Sequence, residues 1–286
     1  MLYDIQKSLK INLPEKHKDI VTAYNTEWDF HNGQGWELQN FIELTKDRKS
    51  LFDIGGNVGF FSMVFCLNNN DDRLKRAYCF EPSPYGLSSC VEILDHNDWF
   101  DRIKLFPVFV GDKEGVVEIL IEDSKTFVAL YEKMDENHSI IERDGRSAGT
   151  VIAVDDFTWL AEMGGEDEKY GLDLIFEDKR KEVHHNYQGF KEEFDVDTVK
   201  IDVEGYEFKV LSGAKDTLKK YKPLMFLEIH AHLLKLYSAG IMDVYTAIKE
   251  CGYEIYNVHM EKIEDAKSYV SLFNDANEIR VICKGK

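Results

Sequence analysis

The chain has 286 residues, and 44% of them are hydrophobic, which suits one large folded domain and is unlike a disordered chain. The formal net charge of −18 at pH 7 disfavours binding to nucleic-acid backbones and to anionic membranes. Because no window approaches the roughly 20 apolar residues of a membrane span, and the first residues lack a signal-peptide pattern, we expect a cytoplasmic protein.

The predicted elements follow the alternation of an α/β sheet, with short apolar runs between segments of helical period. The predicted strands are Leu51–Ile54, Ala77–Phe80, Leu105–Val110, Val116–Ile121, Val151–Phe157, Thr198–Ile201, Leu224–Ile229, Tyr253–Val258 and Ile279–Cys283. A helix is predicted over Trp36–Lys46, and others after Gly205 and Gly240. Five cysteines are expected to be small buried side chains kept reduced, since none are spaced as C-x-x-C.

Two strand pairs are predicted to be antiparallel, because few residues separate their members. Leu105–Val110 would pair with Val116–Ile121 across the turn GDKEG, and Tyr253–Val258 with Ile279–Cys283. Two segments lie outside this pattern. Residues 1–36 form an N-terminal extension to a domain over 37–286, and a long charged insertion covers about 161–196. Trp28, His31 and Trp36 either pack or line a cleft for an acceptor.

The stretch LFDIGGNVGFFS (51–62) predicts a strand, a sharp glycine turn and a helix beginning near Val58. Glycines allow positive φ angles and let a ligand lie directly on the backbone. The phosphate-loop pattern is excluded because Phe60 and Phe61, rather than Lys and Ser or Thr, follow Gly59. The dinucleotide pattern G-x-G-x-x-G does not match the G-G-x-x-G spacing, which disfavours a nicotinamide oxidoreductase.

An acid follows the second predicted strand, at Glu81. A carboxylate there can accept hydrogen bonds from both hydroxyls of a ribose. Together with a glycine loop that lacks a pyrophosphate pattern, it indicates S-adenosylmethionine as the cofactor. The alternative is that Gly55–Gly59 is only a tight turn and Glu81 only a surface acid.

Four sequence blocks resemble the FkbM-type S-adenosylmethionine-dependent methyltransferases. They are FDIGGNVGFFS (52–62), FEPSP (80–84), VIAVDDF (151–157) and the most specific, VKIDVEGYEFKVLSGA (199–214), with a weaker fifth block, LMFLEIH (224–230). The resemblance covers roughly residues 37–284. It implies a class I methyltransferase (Rossmann-like) fold with a seven-stranded, mostly parallel sheet. The implied strand order is 3-2-1-4-5-7-6, with one antiparallel edge pair and helices on both faces.

The resemblance also implies site residues. The cofactor-binding set comprises Asp53, Gly55, Gly56, Asn57, Gly59, Phe60, Glu81, Pro82, Ser83, Val110, Gly111, Asp112 and Asp202. Gly56 stands where alanine is frequent, an exchange expected to be harmless. The implied reaction is methyl transfer to a hydroxyl of a sugar, a glycan or a glycosylated or polyketide-like small molecule, releasing S-adenosylhomocysteine. The 161–196 insertion departs from the family pattern and leaves the acceptor open.

Candidates for taking the hydroxyl proton cluster after the fourth and fifth core strands: Asp202, Glu204, Glu228 and His230. Glu228 and His230 are two residues apart, so they share one face of a strand. His230 titrates near neutrality and is the natural base, which Glu228 would orient unless it binds the acceptor. The alternatives are a surface or helix-capping role for His230, with His232 as a competitor, and a capping role for Glu204.

A divalent metal is possible but not favoured, with Asp202, Glu204 and Glu228 as oxygen ligands. His184–His185 is not expected to bind zinc, because adjacent strand residues point apart. Two rival functions remain: a non-catalytic S-adenosylmethionine-binding partner subunit, and methylation of another acceptor class. Nucleic acid is disfavoured as a partner by the charge, and the oligomeric state is open.

Overall fold

The computed structural model describes residues 1–6, 9–22, 33–68, 75–112, 115–121, 127–132, 146–153, 196–274 and 276–286. Within these ranges, no helix combines the length and the apolar character needed to cross a bilayer. Nearly all of the 161–196 insertion lies outside the described residues, as do Trp28, His31 and His184–His185.

The described chain contains strands, α-helices and two 3-10 turns. The strands are β1 (Leu2–Ile5), β2 (Leu9–Asn12), β3 (Ser50–Ile54), β4 (Arg76–Phe80), β5 (Ile103–Phe106), β6 (Phe109–Gly111), β7 (Gly115–Ile121), β8 (Phe127–Glu132), β9 (Arg146–Ala153), β10 (Thr198–Ile201), β11 (Leu224–His230), β12 (Tyr253–Asn257), β13 (Lys262–Ile263) and β14 (Glu278–Gly285). The α-helices are α1 (Lys18–Thr22), α2 (Gln34–Leu44), α3 (Phe60–Leu67), α4 (Pro84–Asn97), α5 (Glu207–Gly213), α6 (Lys215–Tyr221), α7 (Ala231–Leu234), α8 (Ile241–Glu250) and α9 (Ala266–Ser271). The 3-10 turns are Glu15–His17 and Lys235–Tyr237.

An eight-stranded sheet forms the centre of the molecule, in the order β5-β4-β3-β10-β11-β14-β12-β13. Its first seven strands follow the predicted order, and the short edge strand β13 is an addition to it. Strands β5, β4, β3, β10 and β11 are parallel, whereas β14 runs antiparallel to both β11 and β12. The predicted antiparallel pair at the C-terminus is therefore confirmed, and the main sheet has the arrangement that the resemblance implies.

The other predicted hairpin is wrong. The strand predicted at Leu105–Val110 is two strands, because Pro107 cannot donate to a ladder and β5 ends at Phe106. Beyond the proline, β6 belongs to a second sheet with the order β6-β9-β7-β8. In it, β6 pairs in parallel with β9, while β7 pairs antiparallel with β8 and β9.

Helices cover both faces of the main sheet, as predicted. Side chains alternate along each strand, so Phe52 and Leu51 enter different apolar clusters. One cluster contains residues of α5, α6 and α8, such as Val210, Leu218 and Val244. The other contains residues of α2, α3 and α4. All five cysteines are buried and free.

The N-terminal residues pack against the second of these clusters. Ile5 and Ile11, from the β1–β2 hairpin, are fully buried in it, together with Leu38 and Phe41 of α2. The helix predicted over Trp36–Lys46 is α2, which begins and ends two residues earlier. Its buried face carries Leu38, Phe41 and Ile42 as expected.

Candidate active site

The glycine loop connects the end of β3 to the start of α3. Gly55, Asn57 and Gly59 have φ angles of 80°, 50° and 78°, a region that glycine adopts most easily. The N–H groups of Gly55 and Gly56 both donate to the carbonyl of Phe80, at 2.9 and 3.2 Å, which ties the loop to β4. The helix begins at Phe60, two residues after its predicted start.

Asp53 holds this loop from beneath. Its Oδ2 accepts hydrogen bonds from the backbone N–H and the hydroxyl of Ser62, at 3.0 and 2.6 Å. Burial raises the pKa of the Asp53 carboxyl, although the bonds from Ser62 and the charge of Lys200 act in the opposite direction. Asp53 is 2% exposed, so in this structure it stabilises the turn from within.

Glu81 follows β4 and faces the same loop. Its Oε2 accepts from the N–H of Asn57, and its Oε1 accepts from the N–H of Ser83, both at 2.7 Å. Each oxygen retains a lone pair for a further donor. Burial raises the pKa of the Glu81 carboxyl, and hydrogen bonding from Ser83 and Asn57 opposes the rise. A buried acid beside a glycine turn fits the ribose of S-adenosylmethionine.

The loop meets the end of β10, where the order of the sheet reverses. A Cβ at Gly55 would lie 1.8 Å from the carbonyl oxygen of Asp202, so no side chain can be accommodated there. The N–H of Asp202 donates to the carbonyl of Ile54 at 3.0 Å. Ligands of open α/β sheets bind at such a reversal, outside the carboxyl ends of the strands. Gly55 and Asp202 therefore join the two halves of the predicted site.

The structure brings together only part of the predicted cofactor set. Phe60 is 4% exposed and packs within the apolar core. Ser83 caps α4 by accepting from the N–H of Gly86 at 3.1 Å, and Pro82 is half-buried beside it. Val110 and Gly111 lie in β6, past the end of the third core strand, and Asp112 pairs with Lys209 at 3.0 Å.

The four predicted catalytic residues meet around one imidazole nitrogen. His230 is 3% exposed, and its Nε2 lies 3.4 Å from Glu204 Oε2, 3.7 Å from Glu228 Oε1 and 4.0 Å from Asp202 Oδ1. We call Asp202, Glu204, Glu228 and His230 the acid–base cluster. His232 is outside it, with its Nδ1 3.3 Å from the carbonyl of Asn277.

Glu207, in the first turn of α5, contacts the other nitrogen of the same ring. Its Oε1 lies 2.8 Å from His230 Nδ1 and also accepts from the N–H of Gly205, at 2.9 Å. No side chain caps the N-terminus of α5, so the helix-capping role considered for Glu204 is not seen, and Glu207 instead fixes the turn before the helix. Glu204 itself has a φ of 52° and a side chain that is 73% exposed. It reaches the cluster from the solvent side.

A buried ion-pair network lies beside the cluster. Lys200 Nζ is 3.4 Å from Glu37 Oε1 and 3.5 Å from Asp202 Oδ2, and it lies over the ring of Phe61. Arg280 of β14 contacts Glu228 and, at 3.5 Å from its Nε, Glu37. Pairing of this kind is what allows charged side chains inside a sheet.

These charges set the protonation of the cluster. Burial lowers the pKa of His230, but the hydrogen bond with Glu207 and the charges of Glu204 and Asp202 outweigh it and raise the pKa to about 9. Burial and the neighbouring Asp202 raise the pKa of Glu228 to about 9. Burial also acts upward on Asp202, yet Lys200 and His230 bring its pKa below the usual value.

A family model, that of the FkbM methyltransferase domain, matches residues 53–255, from the glycine loop to β12. This match covers more than half of the chain. The chain belongs to the FkbM methyltransferase family. Members of this family use S-adenosylmethionine, and the arrangement of the glycine loop, Glu81 and Asp202 fits that cofactor. No curated protein matches the chain.

Solved structures with a similar chain course include several methyltransferases. The FkbM methyltransferase of Methylobacillus flagellatus KT is 15% identical with a TM-score of 0.45, and the match covers 84% of this chain and 44% of that one. The precorrin-6y C5,15-methyltransferase of Geobacter metallireducens GS-15 is 11% identical with a TM-score of 0.41, over 87% of this chain and 88% of that one. TrmK of M. capricolum, in complex with S-adenosylhomocysteine, is 12% identical with a TM-score of 0.37, over 87% and 67%.

Two groups in this FkbM chain have spacings that a metal ion could use. They are Asp202, Glu204 and His230, and Glu228, His230 and Glu278, with the potential ligand atoms of each group within 4.8 Å of one another. Both groups share His230, whose raised pKa keeps it protonated at neutral pH. Since an imidazolium has no lone pair for a metal, the contacts of the protonated ring are ion pairs, and a metal ion would have to displace that proton in order to bind.

The sequence predictions for this FkbM site missed Glu37, Lys200, Glu207, Glu278 and Arg280. A usable signal existed for two of them, since Lys200 and Arg280 are charged residues inside apolar strands and such residues must be paired. No comparable pattern marks the glutamates, because each is an ordinary polar residue of a helix or a strand end.

Proposed function

We propose that this FkbM protein is an S-adenosylmethionine-dependent O-methyltransferase acting on a hydroxyl of a sugar, a glycan or a glycosylated or polyketide-like small molecule. The proposal is supported by a single relationship, the direct contact between the glycine loop and the acid–base cluster. Gly55 and Asp202 are so close that a Cβ on the glycine would lie 1.8 Å from the Asp202 carbonyl. A cofactor on the loop would therefore adjoin the side chains that can accept a proton.

S-adenosylmethionine supplies an activated methyl group on a positively charged sulfur. The task left to the protein is to hold the acceptor and remove a proton from a hydroxyl that is a poor acid. His230 Nε2 takes that proton when the ring is neutral, and Asp202 and Glu204 stabilise the imidazolium that results. Glu81 binds the ribose hydroxyls through the remaining lone pairs of its carboxylate.

The charge of the chain supports a neutral or cationic acceptor over a polyanion. A formal charge of −18 opposes nucleic-acid binding, and the acid–base cluster adds carboxylates at the edge where the acceptor would lie. Sugar hydroxyls suit such a site, because carboxylates accept hydrogen bonds from the hydroxyls beside the reacting one.

The test is a methyl-transfer screen with radiolabelled S-adenosylmethionine over free sugars, glycosides and glycosylated polyketides. We expect label in at least one sugar-containing acceptor. The labelled product should be stable in mild base, because a methyl ether resists hydrolysis there and a methyl ester does not. Label appearing only in amines, carboxylates or RNA would contradict the proposed acceptor class.

The non-catalytic alternative, an S-adenosylmethionine-binding partner subunit, makes a different forecast. Such a subunit would bind S-adenosylhomocysteine in calorimetry, yet it would transfer no methyl group to any acceptor. It would also tolerate loss of His230, which has no role in binding the cofactor. Comparing calorimetry with the transfer screen therefore separates the two functions, and titration with NAD tests the oxidoreductase reading.

A further inference from the structure

The buried contact between Glu207 and His230 assigns a role to a residue outside the predicted site. Glu207 is 0% exposed and His230 is 3% exposed, and their Oε1 and Nδ1 atoms are 2.8 Å apart. A carboxylate only accepts hydrogen bonds, so Nδ1 must carry the proton. The neutral ring is then left with its lone pair on Nε2.

Nε2 is the nitrogen that faces the acid–base cluster. The charged groups around the ring come from four parts of the fold: Asp202 and Glu204 after β10, Glu207 on α5, Glu228 on β11, and Glu278 and Arg280 on β14. Only Glu207 contacts Nδ1 among the described residues, and the other carboxylates lie 3.4–4.0 Å from Nε2.

We propose that Glu207 is a positioning residue, which keeps the proton of the neutral His230 ring on Nδ1 and so leaves Nε2 as the atom that takes the acceptor's proton. This inference rests on the proposed function. In the step, the acceptor oxygen forms the new bond to the methyl carbon while the methyl C–S bond breaks, and the electron pair of that bond stays on the sulfur of the departing S-adenosylhomocysteine. The O–H bond of the acceptor breaks, its electron pair stays on oxygen, and the proton moves to Nε2. Glu207 touches neither the acceptor nor the cofactor.

Glu228, which the sequence suggested as the orienting residue, is placed differently. Its Oε1 contacts Arg280 and lies 3.7 Å from Nε2, so it is on the reactive side of the ring. The loop geometry reinforces the choice of Glu207. Because its Oε1 also accepts a hydrogen bond from the Gly205 N–H, the backbone fixes the position of the carboxylate independently of the His230 ring.

The second oxygen of Glu207 points to a role beyond packing. Glu207 Oε2 is buried and has no hydrogen-bond partner among the residues that the structure describes. An unsatisfied buried oxygen opposes folding, and a purely structural position would be better filled by a neutral side chain. Retaining a carboxylate here is explained by the proton that it holds on His230.

The test compares two substitutions with opposite effects on the Nδ1 hydrogen bond. Glu207→Gln removes the charge but keeps an oxygen that can accept from His230 Nδ1–H. The Gly205 N–H needs an acceptor, so the amide group should place its oxygen, and not its NH₂, where Glu207 Oε1 lies. Glu207→Leu removes the acceptor at similar volume. Glu278→Gln is the matched control, since it removes a charge 3.9 Å from Nε2 and leaves Nδ1 untouched.

Nitrogen-15 NMR of His230 gives a readout that needs no acceptor. We expect the Nδ1–H tautomer above the ring's pKa in the wild type, in Glu207→Gln and in Glu278→Gln, and a large Nε2–H fraction in Glu207→Leu. The ring's pKa should fall by at least one unit in Glu207→Gln and by less in the control. A wild-type ring with its neutral proton on Nε2 would overturn the proposal.

Kinetics give the second readout. Above the ring's pKa, where the ring is neutral in every variant, we expect kcat of Glu207→Leu to fall roughly 100-fold, with its Kd for S-adenosylhomocysteine within about twofold of the wild type as evidence of folding. Glu207→Gln should recover most of the rate. Wild-type kcat in a folded Glu207→Leu would refute the role. Failure of the wild type to methylate any acceptor, with the Nδ1–H tautomer intact, would instead refute the proposed function.

Discussion

Gly56 lies directly against the thiol of Cys79, so that a Cβ at Gly56 would be 2.3 Å from its Sγ. The glycine belongs to the glycine loop and the cysteine to β4, where it is fully buried. The resemblance to the FkbM family suggested that glycine and alanine are interchangeable at this position. In this chain, Cys79 occupies the space that an alanine methyl group would need.

The first prediction follows from this contact. Gly56→Ala should destabilise the protein by about 1–3 kcal/mol through overpacking, and Cys79→Ala in the same chain should restore much of the loss. Urea unfolding of both single variants and the double variant measures the coupling. If the changes in the free energy of unfolding of the two single variants simply add in the double variant, the methyl group introduced by Gly56→Ala does not contact the side chain at position 79.

The second prediction concerns Glu81. S-adenosylhomocysteine should raise the melting temperature of the wild type, and Glu81→Ala should remove most of that shift because the ribose loses a charged acceptor. We expect Kd to weaken roughly 10- to 100-fold, as for hydrogen bonds to a charged group.

Glu81 also holds the Asn57 N–H, so its loss disturbs the loop as well. An analogue of S-adenosylhomocysteine that lacks both ribose hydroxyls separates the two effects. Its affinity should fall less than that of S-adenosylhomocysteine when Glu81 is replaced by alanine, whereas equal weakening of both ligands would show that Glu81 acts only through the loop.

The third prediction concerns His230. His230→Ala should lower kcat by about 100-fold or more, the usual contribution of a general base, while Kd for S-adenosylhomocysteine changes little. His232→Ala is the control, because this exposed neighbour lies outside the acid–base cluster. The wild-type rate should rise with pH, since the protonated ring must lose its proton before it can act as a base. A His230→Ala rate equal to the wild-type rate across the pH range would exclude the role.

The fourth prediction is a loss of stability at high pH. The pKa of His230 is about 9 in the folded chain and 6.5 as the reference value, so the native state binds more protons between these limits. Its contribution is therefore fully present below about pH 6.5 and is lost as the pH rises through 9, and this shift corresponds to about 3 kcal/mol. The raised pKa of Glu228 acts in the same direction.

Urea unfolding at pH 6.5, 8 and 9.5 measures this loss. Deprotonation of other groups also changes stability with pH, so His230→Gln serves as the reference. The free energy of unfolding should decrease more steeply with pH in the wild type than in the variant. Parallel plots of this free energy against pH would show that His230 is not protonated in the folded protein at neutral pH.

The fifth prediction concerns metal removal. Because ion pairs with protonated His230 account for the contacts among these side chains, methyl transfer should persist at neutral pH after treatment with EDTA and exchange into metal-free buffer. Loss of activity that Mg²⁺ or Mn²⁺ restores would replace the ion-pair interpretation with coordination by the same side chains.

Local pattern was enough to predict an α/β sheet, the glycine loop and side chains that share one face of a strand. Alternating apolar runs and helical segments allow few sheet orders, and the resemblance selected the one observed. Glu228 and His230 lie two residues apart on a strand, so their shared face follows from the backbone geometry alone. Glu81 could be located because an acid at the end of the second strand must reach the carboxyl edge of the sheet.

Contacts between distant elements required the folded chain. Glu207 reaches His230 because α5 packs over the end of β11, and Arg280 reaches Glu228 because β14 inserts antiparallel beside the same strand. The predicted pairing of Leu105–Val110 with Val116–Ile121 was wrong because it rested on proximity along the chain. In the folded chain β6 and β7 each pair with β9, which lies between them. Contacts between side chains of different elements depend on how those elements pack and on the need to pair buried charges. Neither requirement produces a periodic pattern in the sequence.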